Sequence, residues 1–366
     1  MRVLYNATFV RPGGGLTYVV EQTQALGHDA GIELTVLTAV WNHHLIEPVA
    51  GPRTEVRCVG VPHVLVRLLW EQTVLPWRAR QHDVLFCPGN VVPLVSPRPT
   101  VVVLQNANFV GRGRRLDRNR GLLQRARAAL SHRSMQRATI VVAISDSLAD
   151  EITSEPALRN IALKVVRSGS PDIGHAGTLA SPDGRSPDLS VPPDPYILSV
   201  ANDAPHKRLS DLAELASTPA ADSDIPSTIA FVGEVSEARR AELRAIAAPF
   251  ADRLLFLGRT GDRQFLSRLY RHAAVVVAAS ELEAWPLTLN EASAEGCPIV
   301  GSDIPPHREV ADGHALFFPP GDIRCLRAAV RQSVAQPRPA PWTIGRSWSN
   351  HADEIADLLR QVATTS

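Results

Sequence analysis

The chain has 366 residues, enough for two domains of ordinary size, each with its own core. Its 38 basic and 37 acidic residues leave a net charge of +1, which excludes a global pull toward nucleic acid or membrane and confines any such partner to a local patch. No apolar run reaches the roughly 18 residues of a membrane-spanning helix, and MRVLYNATF turns polar by Asn6, so neither a spanning segment nor a signal peptide is expected.

Arg2 to Tyr5 predicts a first strand. Pro12-Gly13-Gly14-Gly15 then opens a helix with apolar positions at Leu16, Val19, Val20, Thr23 and Leu26, closed by Gly27. A Gly-rich turn between a strand and a helix lets backbone N–H groups approach a phosphate; the alternative is a flexible turn. Strands follow near Ile32 to Leu37, Val56 to Val61, Asp83 to Cys87, Thr100 to Leu104 and Thr139 to Ile144, alternating with helical stretches. That alternation implies an α/β fold with a parallel sheet covered on both faces.

After the fifth strand comes Gln105-Asn106-Ala107-Asn108, where Asn106 either contacts a ligand through its amide or caps the next element. Residues 111–137 hold nine arginines and a single acid, Asp117. Leu122, Leu123, Ala126, Ala129 and Leu130 form an apolar stripe, so this is a basic amphipathic helix. Such a face is either simply solvated or attracted to a phosphate-bearing or lipid-linked partner at an anionic membrane. A nucleic-acid partner is not expected, because the patch lacks interleaved aromatics.

Residues 174–195, rich in Pro, Gly, Ser and Asp, predict a linker between a domain at 1–173 and one at 196–345. The grammar restarts with strand Tyr196 to Val200, helix Leu209 to Ala216, strand Thr228 to Val232 and helix Glu237 to Ala247. Strand Leu254 to Leu257, helix Asp262 to Tyr270 and strand Val275 to Val277 complete it. Only Lys164 and Lys207 among the 38 basic residues are lysines. Lys207, at the first strand–helix junction of the second half, therefore suggests a compact charge placed against a diphosphate. Cys58, Cys87, Cys297 and Cys325 lie far apart without metal spacing and read as buried free thiols in a reducing cytosol. Asp222-Ser223-Asp224 spells a metal-binding Asp-x-Asp, but in a loop without the strand that motif uses, so no metal site is expected.

The stretch ELEAWPLTLNEASAEGCPIVGSDIPPHREV, residues 281–310, organises the second half. Thr288 followed by Glu291 has capping-box spacing, which predicts a helix from Leu289 to about Glu295 with Gly296 as its stop. On spacing alone Glu283 is a solvated loop acid. The block also resembles the donor-site motif of glycosyltransferase family 4, the retaining GT-B enzymes. There, two glutamates at this spacing flank a loop that Ala284-Trp285-Pro286-Leu287-Thr288 matches, with Ala284 at the first glycine position.

The resemblance implies a GT-B fold, two Rossmann-like doubly wound domains facing a central cleft, and a retaining, metal-independent, cytoplasmic hexosyltransferase with no cofactor. Its donor would be a nucleotide-sugar, and its acceptor a glycan, lipid-linked or small molecule. By this likeness Glu283 holds the transferred sugar, Glu291 the ribose, and Lys207 the diphosphate. Gly13, Gly14, Gly15 and Gly233 lie near the donor, Gly258-Arg259-Thr260 meet the nucleobase, and Pro286, Leu287 and Thr288 carry the anion-binding turn. Relatives place an Arg about six residues before the lysine, where this chain has Ala201; His206 or Arg208 are the candidates to compensate. Relatives also carry a His near Asn106, which this chain lacks. Residues 346–366 resemble the helix that crosses back onto the first domain. Epimerase- or phosphorylase-like chemistry, or a non-catalytic scaffold, remain the alternatives.

Overall fold

The computed structural model describes residues 1–11, 13–61, 63–116, 121–170, 191–193, 195–218, 225–343 and 346–364. Pro12, Asp117, Asp222 and Asp224, and most of the expected linker, lie outside them. The chain divides into two compact units, 1–169 with 346–366, and 170–345.

The first unit runs β1 (Arg2–Asn6), α1 (Gly14–His28), β2 (Glu33–Ala39), α2 (His43–Ile46), β3 (Thr54–Val59) and α3 (Val64–Ala79). It continues with β4 (Val84–Cys87), β5 (Thr100–Leu104), α4 (Gly111–Leu116), α5 (Leu122–Arg137), β6 (Ile140–Ala143), α6 (Asp146–Thr153) and β7 (Leu163–Val165). All strand pairs are parallel, in the order β3-β2-β1-β4-β5-β6-β7. The apolar runs Val-Leu-Phe-Cys of β4 and Thr-Val-Val-Val-Leu of β5 are buried throughout, as a sheet covered on both faces requires.

The second unit runs β8 (Tyr196–Val200), α7 (Leu209–Ala216), β9 (Thr228–Val232), α8 (Glu237–Ala247), β10 (Leu254–Gly258) and α9 (Arg263–His272). Then come β11 (Val275–Ala278), α10 (Leu287–Ala294), β12 (Ile299–Ser302), α11 (Pro305–Ala311), β13 (Leu316–Phe318) and α12 (Ile323–Val334). Its sheet, again parallel, has the order β10-β9-β8-β11-β12-β13. Ile197, Phe231, Val277 and Val300 from the strands meet Leu212, Leu243 and Leu326 from the helices in one core. In both sheets the strand order reverses beside the first strand, between β1 and β4 and between β8 and β11. The carboxyl ends of strands at such a reversal are where open α/β sheets bind ligands.

Several expectations need correction. Gly27 does not stop α1, which continues to His28. A Cβ there would stand 2.4 Å from Thr54 Oγ1 and 2.9 Å from the Gly51 nitrogen, so glycine serves a close approach rather than a helix end. Cys87 and Cys297 are buried, and burial pushes the Cys297 thiol up to about 12, but Cys58 and Cys325 are exposed. In α5 the inward face is Ala128, Ser131, Ser134 and Met135, whereas Ala126 and Ala129 of the expected apolar stripe are exposed. Arg127 turns partly inward, where burial and Arg67 lower its pKa and Glu71 opposes them.

The last helix, α13 (Trp348–Thr364), packs on α1 and β4 within the first unit. Tyr18 stands edge-on to Trp348 and His351, with centroids 5.7 and 5.2 Å apart. His351 Nδ1 donates to the Arg167 carbonyl at 2.8 Å, and the Tyr18 hydroxyl donates to Nε2 at 3.1 Å, which fits only the neutral ring. Burial lowers this imidazole to about 4, and does the same to His307 in the second unit. Both folded values lie below the ordinary 6.5, so the unfolded chain takes up these protons first as pH falls. Their stabilisation is whole above pH 6.5 and is lost on acidification toward pH 4, by on the order of 3 kcal/mol for each ring. Denaturant melts at stepped pH values should show this fall, and His351→Asn should flatten part of it.

Candidate active site

The turn after β8 carries the lysine. Pro205–Lys207 forms a single 3-10 turn, and Arg208 follows in the left-handed region at φ 49°, unusual for a residue with a side chain. Its own guanidinium holds that conformation. Nε and Nη2 donate to the two oxygens of Asp211 at 2.9 and 3.0 Å, and Nη1 reaches Glu281 at 3.4 Å. Asp211 also accepts the Gly321 N–H at 3.1 Å, and the Glu281 N–H donates to the His206 carbonyl at 2.9 Å. Arg208 thus fastens the β8 turn to the loop after β11.

That fastening brings Lys207 to Glu283. Nζ donates to Oε1 at 2.5 Å, with the side chains 21 % and 15 % exposed. Glu283 is therefore not a solvated loop acid. Burial by itself would raise its carboxyl, but the Lys207 ammonium and the hydrogen bonds from Lys207 and Ser280 outweigh burial and hold it below the usual range. His307, on α11, is coupled electrostatically to both. Its Nδ1 donates to the Ser302 carbonyl at 3.0 Å, leaving Nε2 as a buried acceptor without a protein partner.

Helix α10 begins at Leu287, two residues earlier than the capping box predicts, and Pro286 stands at its N-cap with no side-chain cap. Thr288 lies within the first turn and donates from Oγ1 to the Val200 carbonyl at 3.2 Å, which ties the helix start to the end of β8. Glu291 does not close a box; it accepts from the Tyr270 hydroxyl of α9 at 2.6 Å, and burial raises its carboxyl despite that bond. Asn290 is 1 % exposed, and among the described residues neither of its amide atoms nor the buried Trp285 Nε1 has a partner. Gly296, at φ 61°, does end the helix.

At the other side of β8, Gly233 has φ 142°, and a Cβ there would stand 2.1 Å from the Ala201 oxygen. Its N–H donates to the Gly258 carbonyl at 2.9 Å, so the ends of β8, β9 and β10 are drawn together. Arg259 is exposed beyond them, and Thr260 Oγ1 accepts the Asp262 N–H at 3.0 Å. Lys207, Glu283, Pro286, Leu287, Thr288, Gly233 and Gly258 thus all lie at the carboxyl edge of the second sheet, around its reversal point. Glu291 lies one turn further along α10, against α9.

In the first unit Gly13, at φ 138° and ψ −168°, occupies a region closed to other residues, and Gly14 and Gly15 begin α1. A Cβ on Gly15 would be 3.3 Å from Gln105 Oε1, so the glycine turn lies against the end of β5. Asn106 Oδ1 accepts the Asn108 N–H at 2.8 Å, a cap. A buried polar cluster that sequence reasoning did not single out stands at the β1/β4 reversal. Asn6 Nδ2 donates to Glu71 at 2.9 Å, Thr8 donates to Asn6 at 2.7 Å, and Arg67 lies 3.4 Å from Glu71 one turn away on α3. Among the described residues no group of His, Cys, Asp and Glu is arranged to hold a metal ion, and no helix is long and apolar enough to cross a membrane.

Residues 185–342 match the family model described as Glycosyl transferases group 1. No curated protein matches the chain in sequence. In structure it is similar to sucrose-phosphate synthase from Thermosynechococcus elongatus, with TM-score 0.73, 17 % identity and full coverage of both chains. It is also similar to Anabaena HepE in complex with UDP-glucose, with TM-score 0.66, 18 % identity and coverage of 100 % of this chain and 98 % of that one. WaaG, a glycosyltransferase involved in lipopolysaccharide biosynthesis, gives TM-score 0.61 at 16 % identity, with 99 % of each chain covered. The chain has the fold of the GT-B glycosyltransferases, two Rossmann-like α/β domains of parallel sheet.

Proposed function

We propose that this protein is a retaining glycosyltransferase that takes a sugar from a nucleotide-sugar, bound by the second unit, to a glycan, lipid-linked or small-molecule acceptor. The observation that carries this reading is the Lys207–Glu283 pair at the reversal point of the second sheet, beside a helix start with no side-chain cap. An ammonium and the first N–H groups of α10 suit the two charges of a diphosphate leaving group. A carboxylate kept ionised suits sugar hydroxyls. The group 1 family match over this unit and the UDP-glucose bound by HepE support the same assignment.

In this reading Lys207 rests on Glu283 in the free protein and shifts part of its hydrogen bonding to the diphosphate when donor binds. Glu283 is then released to accept from the sugar hydroxyls. Glu291 receives the ribose, and the backbone of Gly233 and of Gly258, Arg259 and Thr260 meets the base. In the first unit the N–H groups of Gly13, Gly14 and Gly15 suit an anion, and Asn106 keeps for an acceptor hydroxyl the amide nitrogen that its cap leaves over. The acceptor oxygen attacks the anomeric carbon on the face from which the phosphate departs. Its proton passes to the departing phosphate oxygen, so no protein nucleophile is needed.

A thermal-shift screen over UDP, GDP, ADP and TDP tests the donor site, because a ligand of the folded state raises Tm. One of them should raise Tm by several degrees, and EDTA should leave both that shift and sugar transfer unchanged. Activity lost on chelation and restored by magnesium or manganese would overturn the metal-independent reading.

A further inference from the structure

We propose that the outward face of α3, with Val95 beside it, is a docking surface for an anionic lipid bilayer. Six large hydrophobic side chains are markedly exposed among the described residues, and four of them lie on this helix: Leu65 at 55 %, Val66 at 38 %, Leu69 at 67 % and Trp77 at 62 %. Leu65, Leu69, Thr73 and Trp77 stand four apart and share one side of the helix, while Arg67, Glu71, Leu75 and Ala79 on the other side are buried. The fifth, Val95, is 82 % exposed. It belongs to a loop laid along the same helix, since the Leu94 N–H donates to Gln72 at 2.9 Å and Arg98 to the Arg80 carbonyl at 3.0 Å.

Charge decides the occupant. From Val56 to Leu116 the chain has eight arginines, and its acids are Glu71 and Asp83 alone. Glu71 is buried with Arg67, and Asp83 is paired with Arg2 at 3.7 Å. The apolar face is therefore edged by exposed Arg80 and Arg98, and both acids of this stretch are already paired. That pattern fits the boundary between acyl chains and anionic headgroups, with the Trp77 indole at the level where an apolar ring and a polar N–H are both accommodated. A second copy of the chain would bring the same arginine-edged surface against itself. The arginine-rich segment 111–137 contributes exposed charge from Arg112, Arg125, Arg133 and Arg137, but the inserting side chains are on α3.

Co-sedimentation with vesicles tests this without any sugar donor, so its outcome is separate from that of the proposed transferase activity. Wild type should pellet with phosphatidylglycerol–phosphatidylcholine vesicles at low salt, much less at high salt, and weakly with phosphatidylcholine alone. Leu69→Ser with Trp77→Ser should lower the partition coefficient by about tenfold or more, the loss expected for one inserted large side chain. Arg80→Glu and Arg98→Glu should each lower it by about fivefold or more. All these side chains are exposed, so the variants should melt as wild type does. Three results would overturn the proposal: no pelleting at low salt, equal pelleting of the serine variant, or a wild-type dimer in sedimentation velocity that the serine variant turns into a monomer.

Discussion

Replacing Lys207 by alanine is expected to lower kcat by about 100- to 1,000-fold, the usual loss when one preorganised donor to a developing anion is removed. The effect should fall on kcat more than on KM, because the diphosphate gains its full charge only as the sugar leaves. A second consequence concerns Glu283. With the ammonium gone, the burial that Lys207 now outweighs would raise the carboxyl, and a side chain 15 % exposed would lose the ammonium that now lies within hydrogen-bond reach. Removing one partner of a fully buried pair costs about 3 to 5 kcal/mol, and this pair, being partly exposed, should cost less. Lys207→Arg should keep the fold and recover only part of kcat, since a planar fork cannot take the place of a compact ammonium between two acceptors. Steady-state kinetics beside thermal melts separate the two effects.

Glu283→Gln is expected to cost at least about tenfold in kcat, because an amide keeps the shape but replaces a charge-assisted acceptor for sugar hydroxyls with a neutral one. Its stability cost should depend on pH in a definite direction. The folded carboxyl lies below its ordinary value, so its stabilisation is present above that value and lost as pH falls through the folded one. Melts of wild type and variant should therefore differ by a constant amount from neutrality down to about pH 5 and converge only in more acid solution. A gap that closes already between pH 7 and 6 would show that Lys207 does not hold Glu283 ionised.

Much of the sheet architecture was legible because its strands are short apolar runs of the length a buried parallel strand needs. β5, β8 and β9, and helices α7 and α8, have the bounds the pattern predicts. β7 and β13 are three residues each, too short to show any period. The misreadings come from residues whose local spacing fits two structures. Thr288 and Glu291 have the separation of a capping box, yet each has a partner far away in sequence, at Val200 and Tyr270. Arg208 gives no local sign of its left-handed backbone, which depends on Asp211 and Glu281. The scarcity of lysine pointed at Lys207, but its pairing with Glu283, 76 positions away, needed the fold to be seen. The exposed face of α3 has no sign in the sequence, because whether a hydrophobic residue on a helix is covered depends on what the fold packs against it.

The most direct measurement follows both products of a single reaction. The protein is incubated with the nucleotide-sugar whose diphosphate raises its Tm and with candidate acceptors. Mass spectrometry then follows nucleoside diphosphate and glycosylated acceptor together, and NMR reads the new anomeric centre. The two products should form in equal amounts, the new linkage should keep the anomeric configuration of the donor, and Lys207→Ala should lose nearly all of both products. Inverted product, or undiminished transfer by Lys207→Ala, would contradict this reading.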